Sequence, residues 1–335
     1  ISFRYINNSI LGHGYVWNPL PFQPVEGYTN FLWIVLLDLI WRIFGISPPD
    51  SANILSLAFS ALTLVVAGII LWTIQWSNQL QKYKLIFLSI TLLGILTNRT
   101  FLAWTSSGLE TAMFVAFILQ WILFALRLHL PRTHLIGSLM SCAAALAALT
   151  RPDGILFCIS TILIWIFVCR TYRKKITGTQ YLPLLPLTLV VIHLMWRKSF
   201  YHEWLPNTYY AKFSGIWPQS GIRYAFSFIL EYAIWFWGIV FIWAGIKQSK
   251  SNASRASNIE KSHHLLDYRL KRGVRIFATG TLLAHAGYYV FVVGGDHFEY
   301  RIFSHFVILI WASMLWALNS LKVSFKTIIG TLIIY

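Results

Sequence analysis

The chain has 335 residues, of which 57% are apolar and 11% are charged, with a mean hydropathy of +0.62 and a formal net charge of +16. Soluble globular domains carry about 25% charged residues, so this composition excludes an ordinary water-exposed domain. The apolar residues form continuous runs instead of alternating ten-residue segments, which predicts spanning helices and not spanning strands. We therefore predict an all-α, polytopic integral membrane protein.

The apolar runs predict about ten membrane spans within one transmembrane domain that covers residues 1–335. Residues 1–50 are predicted to form a juxtamembrane loop on the outer face, and residues 51–335 the helices, with no soluble C-terminal domain. Because the chain begins without Met and stops within an apolar run, we interpret it as part of a longer protein. The predicted spans lie near 52–76, 85–97, 109–126, 135–149, 155–169, 182–196, 225–246, 274–293, 302–318 and from 327 onward.

The basic residues fall on one side of this topology. Alternate loops hold 18 of the 27 Lys and Arg residues and only two acids, whereas the other loops hold nine basic and nine acidic residues. An excess of Lys and Arg marks the cytoplasmic side of a membrane protein. We attribute the net charge to topology and expect no nucleic-acid partner. The long polar stretch 247–273 is predicted to be a flexible cytoplasmic loop, with a short amphipathic helix near 259–272 on anionic lipid as the alternative.

Segment 28–46 is apolar but carries Asp38 and Arg42 four residues apart. Charges deep in a span cost about 2.5–3.5 kcal/mol each. A span here would also place residues 1–27 on the side opposite the other polar motifs. We therefore predict an interfacial helix on the outer leaflet, with the two charges turned to water or to each other.

With this topology, the polar motifs collect on the non-cytoplasmic side. The run 135–169 would be about 52 Å long as one helix, too long for one crossing. Arg-Pro-Asp-Gly at 151–154 is predicted to divide it into two spans joined by a tight turn. The polar segments are 1–8, 12–19, 25–33, 98–111, 149–154, 196–215 and 294–301.

The residue types on this face suit a ligand that combines phosphate with carbohydrate. Carboxylates can accept a proton or hold a cation, guanidinium and ammonium groups can hold phosphate oxygens, and flat aromatic rings can contact sugars. Ser107 and Glu110 also fit a helix capping box, which is an equally good interpretation of that motif. His193 and His285 lie in apolar spans, and we interpret them as packed helix residues.

Seven motifs in order resemble the mycobacterial terminal β-(1→2)-arabinofuranosyltransferase family and its bacterial relatives. They are ISFRY, GHGYVWNP, VEGYTNFLW, SGLETAMF, LTRPDGIL, LPNTYYAK and GGDHFEYR, and they extend from residue 1 to about 305. The resemblance implies the GT-C class of polyprenyl-phosphate-dependent membrane glycosyltransferases, with two juxtamembrane helices in the first outer loop.

The resemblance also implies parts that this sequence does not contain. The family has an Asp-Asp pair immediately before the ISFRY-like segment, which supplies the catalytic base, and usually a large soluble C-terminal domain. We therefore expect the 335 residues by themselves to be inactive. His297 and Glu299 differ from many relatives, so the acceptor is not predicted.

We hypothesise inverting transfer of a sugar, by the resemblance arabinofuranose, from a polyprenyl-phosphate donor to a cell-envelope glycan or glycolipid at the outer face of a bacterial cytoplasmic membrane. Glu26, Asp153 and Asp296 are the candidate catalytic carboxylates. Arg4 and Arg301 are candidates for the donor phosphate. The other candidate substrate-binding residues are Tyr5, Asn18, Tyr28, Asn30, Glu110, Arg151, Asn207, Tyr209, Lys212 and His297.

No cofactor is predicted, and a divalent metal stays an alternative for which no ligand set stands out. Three rival functions stay open. One is a GT-C transferase that uses another sugar, such as mannose. The second is a membrane transporter, which would place ionisable residues near the midplane of the bilayer. The third is a non-catalytic protein that binds glycans or lipids.

Overall fold

The computed structural model describes residues 1–78, 80–130, 132–172, 178–212, 215–256 and 262–335, without the side chains of 212, 249–256 and 262–265. These ranges are helical and contain no strand, which confirms the all-α prediction. The α-helices are α1 (Ser2–Ile10), α2 (Phe31–Phe44), α3 (Pro48–Trp72), α4 (Lys84–Thr97), α5 (Arg99–Thr105), α6 (Thr111–Arg127), α7 (Thr133–Thr150), α8 (Ile155–Thr171), α9 (Thr188–Tyr201), α10 (Asn207–Lys212), α11 (Pro218–Glu231), α12 (Ile234–Ala256), α13 (Ser262–Gly287), α14 (Ser304–Ser320) and α15 (Phe325–Ile334).

Six helical segments in the described ranges are long and apolar enough to cross a membrane. Two further pairs, α4 with α5 and α11 with α12, qualify only as broken spans, bent by 65° and 72°. The other two predicted spans correspond to α6, with 17 residues, and α15, with 10. The structure therefore supports six to eight spans, and ten stays a prediction. The six are Pro48–Trp72, Thr133–Thr150, Pro152–Thr171, Gly178–Tyr201, Leu266–Val293 and Arg301–Ser320.

Helix α6 lies at the centre of the bundle. It is apolar on all sides and is buried along nearly its whole length, as expected for a helix with no polar face. Helix α7 packs against it through small buried side chains, among them Ala143, Ala144 and Ala147, which let two helices approach closely. The indole Nε1–H of Trp121 donates to the Thr161 hydroxyl on α8 at 2.8 Å, so its buried polar group is satisfied.

The predicted break at 151–154 is present. Helix α7 ends at Thr150, a 3₁₀ turn covers Pro152–Gly154, and α8 begins at Ile155. A Cβ atom added at Gly154 would lie 2.5 Å from the backbone of Ala147, so the turn packs against the preceding helix at a distance that only glycine permits. The chain reverses direction at this turn, so α8 ends on the side of the bundle where α7 begins.

Residues 1–50 contain two helices, α1 and α2, in place of a span. Helix α2 has 14 residues and ends at Phe44, and its C-cap residue Gly45 adopts the left-handed conformation with φ of 70°. Within it, Arg42 Nε lies 3.1 Å from Asp38 Oδ2, so the two charges are turned to each other. The Arg42 guanidinium also donates to the Ser9 carbonyl at 3.0 Å, which ties α2 to the end of α1.

The prediction of a long flexible loop at 247–273 is wrong over most of its length. Helix α12 continues to Ala256 and α13 begins at Ser262. Polar composition indicated exposure to water, but exposed residues can extend a helix whose apolar part is anchored in the bundle. Residues 257–261 lie outside the described ranges.

The two ends of the bundle differ in character. At one end, which we call the basic end, the loops beside the ends of α3, α12 and α14 meet. The Asn319 amide there donates to the Gln75 carbonyl at 2.8 Å, and Lys247 Nζ donates to the Leu321 carbonyl at 3.1 Å. The opposite end, called the polar end below, comprises 1–33, 98–111, 149–154, 196–212 and 294–301.

Candidate functional site at the polar end

Hydrogen bonds and ion pairs join motifs that are far apart in the chain. The Asn30 amide donates to the Ser2 hydroxyl at 3.2 Å and to Glu110 Oε2 at 3.2 Å. The other oxygen of Glu110 lies 3.4 Å from Arg151 Nη1. One continuous polar chain therefore connects α1, the start of α2, the start of α6 and the turn after α7.

Arg151 is the centre of this network. Its Nε lies 3.2 Å from Asp153 Oδ1 and its Nη2 donates to the Tyr289 hydroxyl at 2.7 Å. Asp153 Oδ2 in turn lies 2.8 Å from His285 Nε2. The side chains of Arg151 and Asp153 are only 11% and 5% exposed. Buried charges of this kind persist where opposite charges and hydrogen bonds offset their desolvation, so the network fixes the turn relative to α6 and α13.

A second buried pair joins Glu26 to Arg197 near the end of α9. Arg197 Nη2 donates to Glu26 Oε1 at 3.1 Å, and Nε lies 2.7 Å from Oε2 without hydrogen-bond alignment. Burial raises the pKa of the Glu26 carboxyl to about 7, although the Arg197 charge opposes the rise. The backbone N–H of Asn207 donates to the Glu26 carbonyl at 2.9 Å. The segment 25–33 is therefore held by Arg197 at the end of α9 and by Asn207 at the start of α10.

Tyrosines enclose the Glu26 loop. The Tyr5 hydroxyl donates to the Val25 carbonyl at 2.7 Å and accepts from the Gly27 N–H at 2.6 Å. The hydroxyls of Tyr28 and Tyr201 lie 3.0 Å apart, and both rings are buried. Tyr5 therefore holds the backbone of the loop, Tyr28 links the loop to Tyr201 on α9, and neither hydroxyl is directed to an open surface.

The GGDHFEYR segment forms its own anchored loop. Its two glycines, at positions 294 and 295, both have φ of 90°, a conformation that side-chain-bearing residues rarely adopt. Arg301 Nε lies 2.8 Å from Asp296 Oδ2, and the backbone N–H of His297 donates to Asp296 Oδ1 at 2.8 Å. Asp296 and Arg301 thus neutralise each other, while the His297 side chain is exposed.

The same segment is tied to residues 98–111. Arg99 Nη2 lies 2.8 Å from Glu299 Oε2, and the Trp104 indole donates to the Glu299 carbonyl at 2.8 Å. Through these contacts, those above and the hydrogen bonds of Arg4 to Trp17 and Asn18, the described parts of all seven polar segments meet at one end of the bundle.

Arg4 differs from the other arginines of the polar end. Its Nε donates to the Trp17 carbonyl at 2.8 Å and its Nη2 to Asn18 Oδ1 at 2.6 Å, and the guanidinium lies 4.2 Å from the centroid of the Trp17 ring. It is exposed, and no carboxylate of the described residues pairs with it. Arg4 is therefore a cation available to an anionic ligand.

Three predicted residues lie on or beside α10. Asn207 and Tyr209 have exposed side chains, and the contribution of Asn207 to the network is its backbone N–H. The Lys212 side chain lies outside the described part of the chain. The proposed binding roles of these three residues stay predictions.

Sequence reasoning missed several members of the network. His285 was interpreted as a packed helix residue, yet its fully buried ring bonds Asp153. Tyr289 was not singled out, because an isolated tyrosine in an apolar span carries no distinguishing signal. Arg197 could have been found, because a buried carboxylate requires a nearby cation to offset the cost of its desolvation.

The capping-box interpretation of SSGLE is wrong. Helix α6 begins at Thr111 with Glu110 in the N-cap position, so Ser107 lies three residues before the cap. Ser107 instead accepts a hydrogen bond from the Leu109 N–H at 3.3 Å. The Glu110 carboxylate is thereby left to pair with Arg151 and Asn30.

No group of three or more His, Cys, Asp or Glu side chains in the described ranges is arranged to hold a metal ion. Comparison of the chain with protein-family models, with curated proteins and with solved structures gave no match. Fold and site are therefore interpreted from their own geometry.

Proposed function

We propose that the chain is the membrane part of a glycosyltransferase that transfers a sugar, by the resemblance arabinofuranose, from a polyprenyl-phosphate donor to a cell-envelope glycan. The reaction would occur at the polar end, on the extracytoplasmic face of a bacterial inner membrane. Nucleotide sugars carry too much charge to cross a bilayer unaided, so a lipid-borne donor suits a site at this end.

One observation carries the proposal. Seven segments, joined by contacts between residues up to 200 positions apart, form one connected network at one end of an apolar bundle. Stability alone would not require this surface, because buried ion pairs are weak stabilising devices that apolar residues can replace. A rigid polar platform at the edge of a membrane suits a reaction between a lipid-linked donor and a water-exposed acceptor.

We favour Arg4 over Arg301 for the donor phosphate, since Asp296 already neutralises Arg301. Tyr5 holds the loop of Glu26, Tyr28 links this loop to Tyr201, and Asn18 orients Arg4. A guanidinium that keeps free N–H donors can bind two phosphate oxygens at once.

Glu26 and Asp153 act in this proposal as positioning residues. Their side chains are 2% and 5% exposed and are occupied by Arg197, Arg151 and His285. Deprotonation of the acceptor hydroxyl would then fall to the Asp-Asp pair that the resemblance places before ISFRY. Transfer with inversion needs one such base and a phosphate leaving group whose charge Arg4 stabilises.

The location of the buried charges also bears on the transporter alternative. Transporters bind their substrates near the midplane, often at broken helices. Glu110, Arg151 and Asp153 lie instead at the ends of helices, where α6 begins and α7 ends. This placement favours a surface reaction over passage through the bundle.

The test uses the full natural protein in lipid nanodiscs with a panel of polyprenyl-phosphate sugars, a glycan acceptor and product detection by mass spectrometry. We expect one pentose or hexose donor to give product. Arg4→Gln should lower the rate about tenfold or more, since a charge-assisted hydrogen bond contributes about 1.5–3 kcal/mol.

Lys198→Gln is the matched control for this test. Lys198 is another cation of the polar end, but its Nζ donates to the His202 carbonyl and its loss should leave transfer within about twofold of the wild type. Absence of product with every donor would overturn the proposed function. Equal activity of the two variants would remove Arg4 from the donor site.

A further inference from the structure

The buried ring of His285 on α13 fixes the relative heights of three helices. Its centroid lies 5.9 Å from that of Phe114 on α6 and 5.8 Å from that of Phe157 on α8. Helices α6 and α8 begin at the polar end, whereas α13 runs toward it. Thirteen residues from each contact, about 20 Å along the helix, each of the three helices carries an arginine at the basic end. These residues, called the arginine layer below, are Arg127, Arg170 and Arg272.

Two further contacts between α8 and α13 confirm that their arginines lie at one level. The Thr281 hydroxyl donates to Ser160 Oγ at 2.5 Å. A Cβ atom added at Gly273 would lie 2.1 Å from the ring of Phe167, so the two helices approach closely near their basic ends. Both pairs agree, to within about two residues, with the antiparallel alignment that puts the two arginines opposite each other.

The cations of the arginine layer have no carboxylate among the described residues to neutralise them. No ion pair of those residues includes any of the three arginines. Lys271 and Arg275 lie within one turn of Arg272. Asp267, the one acid that the described residues place here, pairs with Lys271 at 2.8 Å, so five cations and one carboxylate leave a net charge of +4. Because arginine keeps its charge at physiological pH, the layer requires anions from outside these residues.

The positive field extends to His129, in the loop that follows α6. Burial lowers the pKa of its imidazole, and the charges of Lys271 and Arg275 on α13 lower it further. Cations of α13 can act on His129 only because the end of α6 lies close to the start of α13. The three arginines thus belong to one surface. Positive loops alone would satisfy the topology rule, which does not require arginines from three packed helices at one level.

The arginine layer lies at the depth of lipid phosphate groups. After α13 the chain continues as a π-helix to Val293 at the polar end, so Arg272 lies about 21 residues away, or about 30 Å along the helix. This distance equals the thickness of a hydrocarbon core, beyond which the headgroups begin. The first and last residues, Ile1 and Tyr335, lie at the polar end, so neither borders the layer. Arg170 and Arg272 are exposed, and Arg127 is half-buried.

We propose that the arginine layer binds the phosphate group of an anionic phospholipid whose headgroup carries no ammonium group. Guanidinium groups hold phosphate oxygens in pairs, and basic clefts between membrane helices bind such headgroups. The net charge of +4 disfavours a zwitterionic lipid, because its ammonium group would meet like charges. One to two turns deeper, the exposed Leu163 on α8 and Ile276 on α13 offer apolar surface to the acyl chains. The inference does not depend on the transferase reaction.

The test measures which lipid the full natural protein retains. Protein in detergent is incubated with equal amounts of phosphatidylglycerol and phosphatidylethanolamine, and the bound lipid is identified by native mass spectrometry. We expect phosphatidylglycerol to be retained about tenfold or more over phosphatidylethanolamine, the effect of at least one charge-assisted hydrogen bond.

Two triple variants separate the arginine layer from the general positive charge of the basic end. Replacing its three arginines together by glutamine should lower the ratio of the two lipids about fivefold or more. The matched control removes the same charge from exposed lysines beside α4, α14 and α15 and should leave the ratio within about twofold of the wild type. This control combines Lys82→Gln, Lys322→Gln and Lys326→Gln.

A third variant replaces the same three arginines by lysine and so keeps their charge. Lysine binds phosphate as a point charge and cannot hold two oxygens as a guanidinium does, so the ratio should fall about threefold.

Three results would overturn the proposal: equal retention of both lipids by the wild type, an unchanged ratio in the glutamine variant of the arginine layer, or an equal fall in that variant and in the lysine control. The last result would mean that anionic lipid is attracted to the basic end as a whole. Each variant is first compared with the wild type in elution volume and melting temperature. Should the glutamine variant fail to fold, the arginine-to-lysine variant decides, and an unchanged ratio there would exclude the arginine layer as the site.

Discussion

Two opposing effects act on Glu26 in its buried pair with Arg197: burial destabilises the charged carboxylate, and the nearby cation stabilises it. Their side chains are 2% and 7% exposed. Burial raises the pKa of Glu26 from 4.5 to about 7 despite the adjacent Arg197. Since one pKa unit corresponds to about 1.4 kcal/mol, burial outweighs pairing by roughly 3 kcal/mol.

This balance predicts how stability depends on pH. The folded-state pKa of Glu26 lies above its unfolded value, so its contribution to stability is complete below about pH 4.5 and is lost as the pH rises through about 7. Between pH 5.5 and pH 8, the free energy of unfolding of the wild type should fall by about 2 kcal/mol more than that of Glu26→Gln.

The measurement is reversible unfolding in mixed micelles, followed by tryptophan fluorescence across this pH range. Subtracting the curve of Glu26→Gln from that of the wild type removes the contribution of the histidines. Glu203→Gln serves as control, because Glu203 is exposed and its variant should follow the wild type.

Two outcomes would refute the reasoning about Glu26. If the wild type and Glu26→Gln change in parallel with pH, the carboxyl does not titrate in this range. If Glu26→Gln is less stable by about 3–5 kcal/mol at every pH, pairing with Arg197 outweighs burial, as when one partner of a buried ion pair is removed.

Three other predictions follow from the fold. Gly154→Ala should destabilise the protein by about 1–3 kcal/mol through its clash with the backbone of α7, whereas Gly238→Ala meets nothing within 4 Å and should be neutral or slightly stabilising in thermal unfolding. Arg151→Gln should lower the free energy of unfolding by about 3–5 kcal/mol, because the ion pair of Arg151 with Glu110 is buried. Arg99→Gln should lower it by less than about 1 kcal/mol, because Arg99 is exposed where it pairs with Glu299. Equal losses in the two variants would contradict this reasoning. A cysteine at Gly12, in a background without native cysteines, should react with an impermeant label from outside intact cells, and protection would contradict the assigned topology.

The helical architecture could be predicted because hydrophobicity and local turn chemistry decide it. The break at Pro152–Gly154 follows from a missing donor and a residue without Cβ, and both are visible in four letters of sequence. The pairing of Asp38 with Arg42 follows from their spacing on one helix. The extent of α12 could not be predicted in this way, because the polar residues after the membrane continue its helix.

The partners within the site could not be read from the sequence. The residues of the pairs Glu110–Arg151 and Glu26–Arg197 are separated by 41 and 171 positions, so only the packing of helices brings them together. Composition nevertheless constrained the outcome. The loops predicted on the non-cytoplasmic side hold nine acids and nine bases, and the cost of an isolated buried charge requires the buried ones to pair.

This pairing limits where an anionic substrate can bind. A phosphate placed near Arg151, Arg197 or Arg301 would compete with a carboxylate that already occupies the guanidinium. The exposed Arg4 requires no such exchange, since its partners Trp17 and Asn18 are neutral. In the proposed function, a donor phosphate would therefore bind Arg4 on α1, beside the position where the family resemblance puts the catalytic base. Inverting displacement places the acceptor and the leaving group on opposite faces of the anomeric carbon, so in the proposed reaction Arg4 and the base would have to lie on either side of the donor sugar.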